Sequence, residues 1–193
     1  MVLGKTLYIK NRKAWRAWLR KHHKTKPEIW LVYYRKETGK PRISYDDAVL
    51  EALAFGWIDS TAKKIDDKRF AQRFSPRRKT SSLSQMNKER VRELIKKGLM
   101  TKAGLEAIAH VYDPKKDTKE KFAISPGILK ALKENKEAWG NFQEMPEAYK
   151  RIRIAYIESR KRHGVWMYKR ALDYFVKMTA QNKRIGFVKE RKI

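Results

Sequence analysis

Cysteine is absent from this 193-residue chain. That excludes a disulfide framework, a thiol nucleophile and a thiolate metal site, and nothing in the composition calls for an oxidising compartment. Carboxylates are scarce: 21 Asp and Glu stand against 48 Lys and Arg, so a net charge of +27 remains even if every acid finds a basic partner. No apolar run approaches the ~20 residues needed to span a bilayer. The opening segment lacks a secretory apolar stretch, because Leu7-Tyr8-Ile9 is followed at once by Lys10, Arg12 and Lys13, and the expected location is the cytoplasm. Neither a Gly-x-x-x-x-Gly-Lys-Ser/Thr loop nor a Gly-x-Gly-x-x-Gly turn occurs, so there is no case for a nucleotide held in those ways. His-Glu-x-x-His is missing too. His22 and His23 are adjacent and diverge on a helix, while His110 and His163 stand alone; no metal or other cofactor is expected.

What is present is globular in composition, with 41% hydrophobic residues including 6 Trp, 9 Tyr and 7 Phe, enough for a substantial core in one domain or two small ones. The charged fraction of 36% has a thermophile-like flavour, but ion-pair networks need both signs and leave the cationic surplus unexplained. A polyanion outside the protein does explain it, most simply DNA or RNA, between which composition does not choose. The surplus is uneven: residues 1–45 hold 13 basic and 2 acidic side chains, and residues 125–193 hold 17 and 7. The basic ends form either one patch or two separate contact surfaces.

Hydrophobic periodicity and turn chemistry predict an α+β fold: a small antiparallel sheet with packed helices in the amino-terminal half and an all-helical carboxyl-terminal half. Asn11 is placed to cap a helix over 12–23 with Trp15, Trp18 and Leu19 inward, and Ser44-Tyr-Asp-Asp47 opens a second helix. Strands are expected at Thr6-Leu-Tyr-Ile9, at Glu28–Lys36, and on either side of an Asp66-Asp67-Lys68 turn. Ser82 or Ser84 starts a helix ending near Gly98, and Ser125-Pro126 starts another. The division is residues 1–112 as an α+β region, 113–124 as a charged linker and 125–193 as a helical region.

Basic residues interleaved with aromatics carry the functional signal. Arg12, Arg16 and Arg20 recur at one-turn spacing on the predicted first helix, where they can meet successive phosphates. Pro76-Arg77-Arg78-Lys79 reads as an exposed basic loop. Arg160-Lys161-Arg162-His163-Gly-Val-Trp166-Met-Tyr168-Lys169-Arg170 repeats the pattern near a helix start, with Trp166 or Tyr168 placed to stack on a base. The candidate nucleic-acid contacts are therefore Arg12, Arg16, Arg20, Arg77, Arg78, Lys79, Arg160, Lys161, Arg162, Lys169 and Arg170. The leading expectation is a sequence-tolerant backbone binder, chromatin-like or ribosome-associated. No catalytic residue is singled out: Asp46-Asp47 sit where acids offset a helix dipole, and Asp66-Asp67 sit at a turn.

A longer pattern runs through Glu51-Ala-Leu-Ala-Phe-Gly-Trp-Ile-Asp-Ser60, Lys63-Lys-Ile-Asp66 and Arg69-Phe-Ala-Gln-Arg-Phe-Ser-Pro-Arg-Arg78, then Ser82, Ser84, Asn87, Arg90 and Val91, to Gly98-Leu-Met-Thr-Lys-Ala-Gly104. It resembles the YdeI/OmpD-associated family, named for bacteriocin protection, with weaker similarity at Trp30-Leu-Val-Tyr-Tyr34 and Tyr156-Ile-Glu-Ser-Arg-Lys161. The chain departs from the family pattern at Leu83, where Trp is general, and at Ala54, where Cys is common. The resemblance implies a stress-protection adaptor acting through protein contacts. Read chemically, Asp59, Lys64, Arg69, Arg73, Ser82, Asn87 and Arg90 form a candidate anion pocket for a carboxylate-bearing or phosphorylated small molecule, either as a binder or as an enzyme using Asp59, Arg73 and Asn87. The alternative is a polar network that only holds strand to helix.

Overall fold

The computed structural model describes residues 3–117 and 122–186. The chain divides into two compact units, residues 1–118 and 119–193. The first runs β1 (Thr6–Tyr8), α1 (Arg12–His22), β2 (Ile29–Tyr34), a 3-10 turn (Lys36–Thr38), α2 (Tyr45–Ala54), β3 (Trp57–Lys64), β4 (Arg69–Pro76), α3 (Gln85–Lys96), α4 (Lys102–Ile108) and α5 (Pro114–Asp117). The strands form one sheet in the order β1-β2-β4-β3. Antiparallel pairing holds for β2 with β4 and for β3 with β4, but β1 is parallel to β2, so the sheet is mixed rather than wholly antiparallel. The reason is local: α1 lies between β1 and β2, and a helical crossover sends the chain back in its original direction. Between β3 and β4 the Asp66 carboxylate instead accepts the Lys68 amide at 2.9 Å and closes a tight turn.

Side-chain caps set the helix starts. Asn11 accepts the Ala14 amide at 2.9 Å. Ser44 accepts the Asp47 amide at 3.0 Å, the cap that the serine-x-x-acid spacing predicts, and its hydroxyl donates to the Asp47 carboxylate at 2.7 Å. Ser84, not Ser82, caps α3 by accepting the Asn87 amide at 3.3 Å.

Every residue of α2 from Ala48 to Ala54 is buried, because α1, β3, α3 and α4 surround it. Ile29, Leu31 and Tyr33 of β2 pair with Phe74, Gln72 and Phe70 of β4; with Trp15, Leu19 and Trp57 most of these side chains build the core. Two buried indoles reach carbonyls: Trp15 donates to Ala48 and Trp57 to His23, each at 3.0 Å, so the large apolar rings are buried without stranding a donor.

Two glycines of the quoted pattern let α4 dock against the end of α2. Gly56 has φ +77°, and a Cβ there would stand 2.6 Å from the Ala107 methyl. At Gly104 a Cβ would run into the Ala54 carbonyl. The same carbonyl accepts the Thr101 hydroxyl at 2.7 Å, and Thr101 caps α4 by accepting the Gly104 amide at 3.1 Å.

The charged run 113–124 predicts no regular structure, yet its first residues form α5. The Asp117 carboxylate folds back to accept the Asp113 amide at 2.8 Å and also takes the Lys88 ammonium at 2.9 Å. Residues 118–121 of that run lie outside the described residues. The second unit holds α6 (Pro126–Lys133), α7 (Lys136–Glu144), α8 (Glu147–Ser159), a 3-10 turn (Arg160–His163) and α9 (Val165–Ala180), packed around Ile128, Leu132, Phe142, Ile157 and Phe175. Asn141 closes the end of α9 by donating to the Thr179 and Ala180 carbonyls at 3.0 and 3.1 Å. Among the described residues no helix is long and apolar enough to cross a membrane.

Gly56→Ala combines a left-handed backbone with a sub-van der Waals contact, and it is expected to lower unfolding stability by about 1–3 kcal/mol. Urea denaturation checks this; an unchanged midpoint would contradict the close docking of α4.

Candidate nucleic-acid interface

The three arginines at one-turn spacing on α1 meet different surroundings. Arg12 Nε reaches Glu51 Oε1 at 2.5 Å and Arg16 reaches Glu51 Oε2 at 2.6 Å, while Arg16 also donates to the Leu99 carbonyl at 2.9 Å. Glu51 lies on α2 and is 1% exposed. A carboxylate held this far from water needs cations and hydrogen bonds in place, and α1 supplies both cations. Arg12 and Arg16 thus tie α1 to α2 and to the loop after α3. Arg20, one turn on, stays exposed. The basic loop splits in the same way. Arg77 is 7% exposed and donates to the Ser82 carbonyl at 2.7 Å; burial works against its charge, with Asp59 offsetting part of the effect. Arg78 and Lys79 are exposed.

The candidate anion pocket is not drawn together. Along β4 the side chains alternate between faces, so Arg69 and Arg73 lie on one side and Gln72, with Asp59 of β3, on the other. Asp59 accepts the Tyr45 hydroxyl at 2.6 Å and faces the Gln72 amide at 3.5 Å. Burial and then this hydrogen bond raise the Tyr45 pKa. Each cation of the set already faces a carboxylate. Lys64 pairs with Asp67, Arg69 with Asp66 at 2.6 Å, Arg73 with Glu28 at 2.6 Å and Arg90 with Asp46 at 2.9 Å. Asn87 accepts from Arg90 at 3.0 Å, the one direct hydrogen bond between members of the set, and Ser82 contributes its carbonyl to Arg77. The Arg73 guanidinium, and then the Trp30 indole, hold the Glu28 carboxyl below its ordinary value.

Around the end of α8 and the start of α9 several cations are grouped with less of that compensation among the described residues. The carboxyl end of α8 runs into Arg160-Lys161-Arg162-His163, where positive charge suits the helix dipole. Gly164, at φ +100°, then turns the chain into α9, whose first turn carries no acid and no side-chain cap. Lys161 pairs with Glu158 at 2.6 Å. Arg162 Nε donates to His163 at 3.0 Å, and Arg160 lies 4.2 Å from the centre of the Tyr156 ring. Arg160, Arg162, Lys169 and Arg170 have no carboxylate partner among the described residues. Trp166 is 65% exposed, with the Arg170 guanidinium 5.2 Å from its ring, whereas Tyr168 packs against the core.

Three members of this surface escape a reading by basic runs: Arg153, Tyr156 and Tyr174. Arg153 is buried on α8, 4.5 Å from the Tyr156 ring. Burial pushes its pKa down, nearby tyrosines draw it back, and Arg160 adds to the push. The Nε atoms of Arg153 and Arg160 are buried without a hydrogen-bond partner. The signal was the spacing Arg153, Tyr156, Arg160, which shares one helical face. Among the described residues no group of three or more metal-ligating side chains comes together.

A family model described as Domain of unknown function (DUF8412) matches residues 7–107, more than half of the chain. The chain belongs to this family. Residues 121–163 match the model of the Bacteriocin-protection, YdeI or OmpD-Associated family. The resemblance to that family therefore has its match on the segment from before α6 through the Arg160–His163 turn, while the Glu51–Gly104 pattern lies within the DUF8412 region. Neither the curated proteins nor the solved structures contain a match to the chain.

Removing both cations from Glu51, as in the Arg12→Ala/Arg16→Ala double variant, leaves a buried charge unmet and is expected to destabilise the DUF8412 region by about 3–5 kcal/mol. Adding Glu51→Leu to that variant should recover most of the loss; denaturant midpoints that fail to recover would contradict the role given to Glu51. The lowered pKa of Glu28 implies stabilisation that is complete above its ordinary value of 4.5 and is lost as pH falls through the depressed folded-state value. The stability gap between the wild type and Arg73→Gln should therefore narrow as pH drops from about 5 to about 3, measured by urea unfolding at each pH; a constant gap would exclude the pair as its source.

Proposed function

We propose that this DUF8412 protein binds DNA or RNA through the phosphate backbone, with little base specificity, as a chromatin-like or ribosome-associated cytoplasmic factor. The observation that supports the reading is the group of cations around the Arg160–His163 turn and the start of α9, where Arg160, Arg162, Lys169 and Arg170 face no carboxylate among the described residues. Exposed like charges repel, and the few acids close in sequence, Asp173 one turn along α9 and Glu158, which already pairs with Lys161, leave these in excess. A polymer carrying one negative charge per ~1.7 Å of duplex axis does offset them, with release of its counterions. Arg20, Arg78 and Lys79 supply further exposed cations in the other unit. The small-anion reading has less support, since Lys64, Arg69, Arg73 and Arg90 already hold acids and lie apart, and a ligand would have to displace an internal partner.

The test is a titration of labelled duplexes of unrelated sequence across a range of salt. Affinity should be nearly equal between sequences and fall steeply, with a log–log slope of about −0.9 per phosphate neutralised. Arg162→Gln and Lys169→Gln should each flatten the slope by about one unit. If neither DNA nor RNA is retained at low salt, the reading is wrong.

A further inference from the structure

The exposed aromatics of the second unit stand in line with its unmatched cations. Trp166, Arg170 and Tyr174 recur every four residues on α9 and share one face, with the two rings about 12 Å apart along the axis. Trp166 is 65% and Tyr174 53% exposed, whereas Trp15, Trp30 and Trp57 are at most 1% exposed. A single exposed ring is ordinary for a protein surface; two on one helical face with a guanidinium between them make a stacking platform. Arg170 occupies one side of the Trp166 ring, and the high exposure of that indole leaves its other side open. Nearby, the Tyr156 ring holds Arg153 and Arg160, at 4.5 and 4.2 Å. Both have a buried Nε without a partner, and Arg153 is only 8% exposed. Two guanidiniums held against one ring with no carboxylate partner among the described residues concentrate positive charge beside the platform.

We infer that the surface of α8, the Arg160–His163 turn and α9 takes a single-stranded polynucleotide, with bases stacked on Trp166 and Tyr174 and phosphates drawn to Arg160, Lys169 and Arg170. The inference rests on the proposed nucleic-acid binding and narrows its ligand. In a duplex the base faces are already stacked on one another, so a protein surface meets phosphates, sugars and groove edges but no open ring face. In a single strand every base has a free face, which accepts any exposed aromatic whatever the sequence. Arg153, beside the Tyr156 ring, adds positive field to the site.

The test uses the full chain and fluorescence anisotropy with three labelled probes at one low salt concentration: oligo-dT, oligo-U and a mixed-sequence duplex. The expected result is tighter binding of the single strands than of the duplex. Trp166→Ala should weaken single-strand binding by about 5- to 150-fold, the loss of one stacked base, and leave duplex binding within about twofold. Both rings are exposed, so circular dichroism and thermal melting should show Trp166→Ala and Tyr174→Ala folded as the wild type. A preference between oligo-dT and oligo-U names the sugar the site favours, and equal binding means that it reads only bases and phosphates; either accords with the inference. If the Trp166→Ala/Tyr174→Ala double variant binds the single strands as the wild type does, the stacking platform is overturned while backbone binding stands. If the wild type retains none of the three probes, the proposed function falls with it.

Discussion

A carboxylate that is 1% exposed is costly to bury without cations beside it, and Glu51 meets Arg12 and Arg16 at 2.5 and 2.6 Å. This contact joins the two helices that frame the sheet of the first unit. It shows on a small scale what governs the whole chain: acids are the limiting species, and wherever one is placed it decides which of the many cations become structural. Glu28 claims Arg73, Asp46 claims Arg90, Asp66 claims Arg69 and Asp117 claims Lys88. Arg and Lys left outside such pairs carry the field that a partner would feel.

The pattern from Glu51 to Gly104 acquires a structural meaning in this light. Its arginines hold strands and helices through acids, and its glycines permit backbone contact, Gly56 through a left-handed conformation and Gly104 by leaving room for the Ala54 carbonyl. Chemistry-bearing residue types in a characteristic order thus serve the packing of the DUF8412 region. The region around the Arg160–His163 turn is balanced differently. The acids nearest the Arg160–His163 turn are few, Glu158 is taken by Lys161 and Ser125, and the guanidiniums turn to aromatic rings instead of carboxylates. Arginine on a tyrosine or tryptophan face is held by cation–π attraction without taking up a carboxylate, which suits a surface that meets phosphates.

Much of the secondary structure was legible because it is written in local signals. Asn11, Ser44 and Thr101 cap helices through hydrogen bonds to residues three positions on, and the Asp66-Asp67-Lys68 turn closes over the same short range. The parallel pairing of β1 with β2 was not read as such, although the intervening helix implied it. The helical start of the run 113–124 was hidden because its order comes from Lys88 and Arg92 on α3. The candidate site was only partly legible: Arg160, Arg162, Lys169 and Arg170 were named from basic runs, whereas Arg153 and Tyr174 lie outside those runs and come into view through helical spacing and packing.

The sequence by itself determined that cations outnumber acids, that caps and turns fall where they do, and that the chain combines a small sheet with many helices; each of these depends on composition or on neighbours a few residues apart. Only the tertiary structure decided which cations are neutralised. Arg12 and Glu51 are 39 residues apart, and Glu28 and Arg73 are 45 apart. An ion pair depends on distance in space, falling off over a few ångströms, and the fold alone brings such residues within that range.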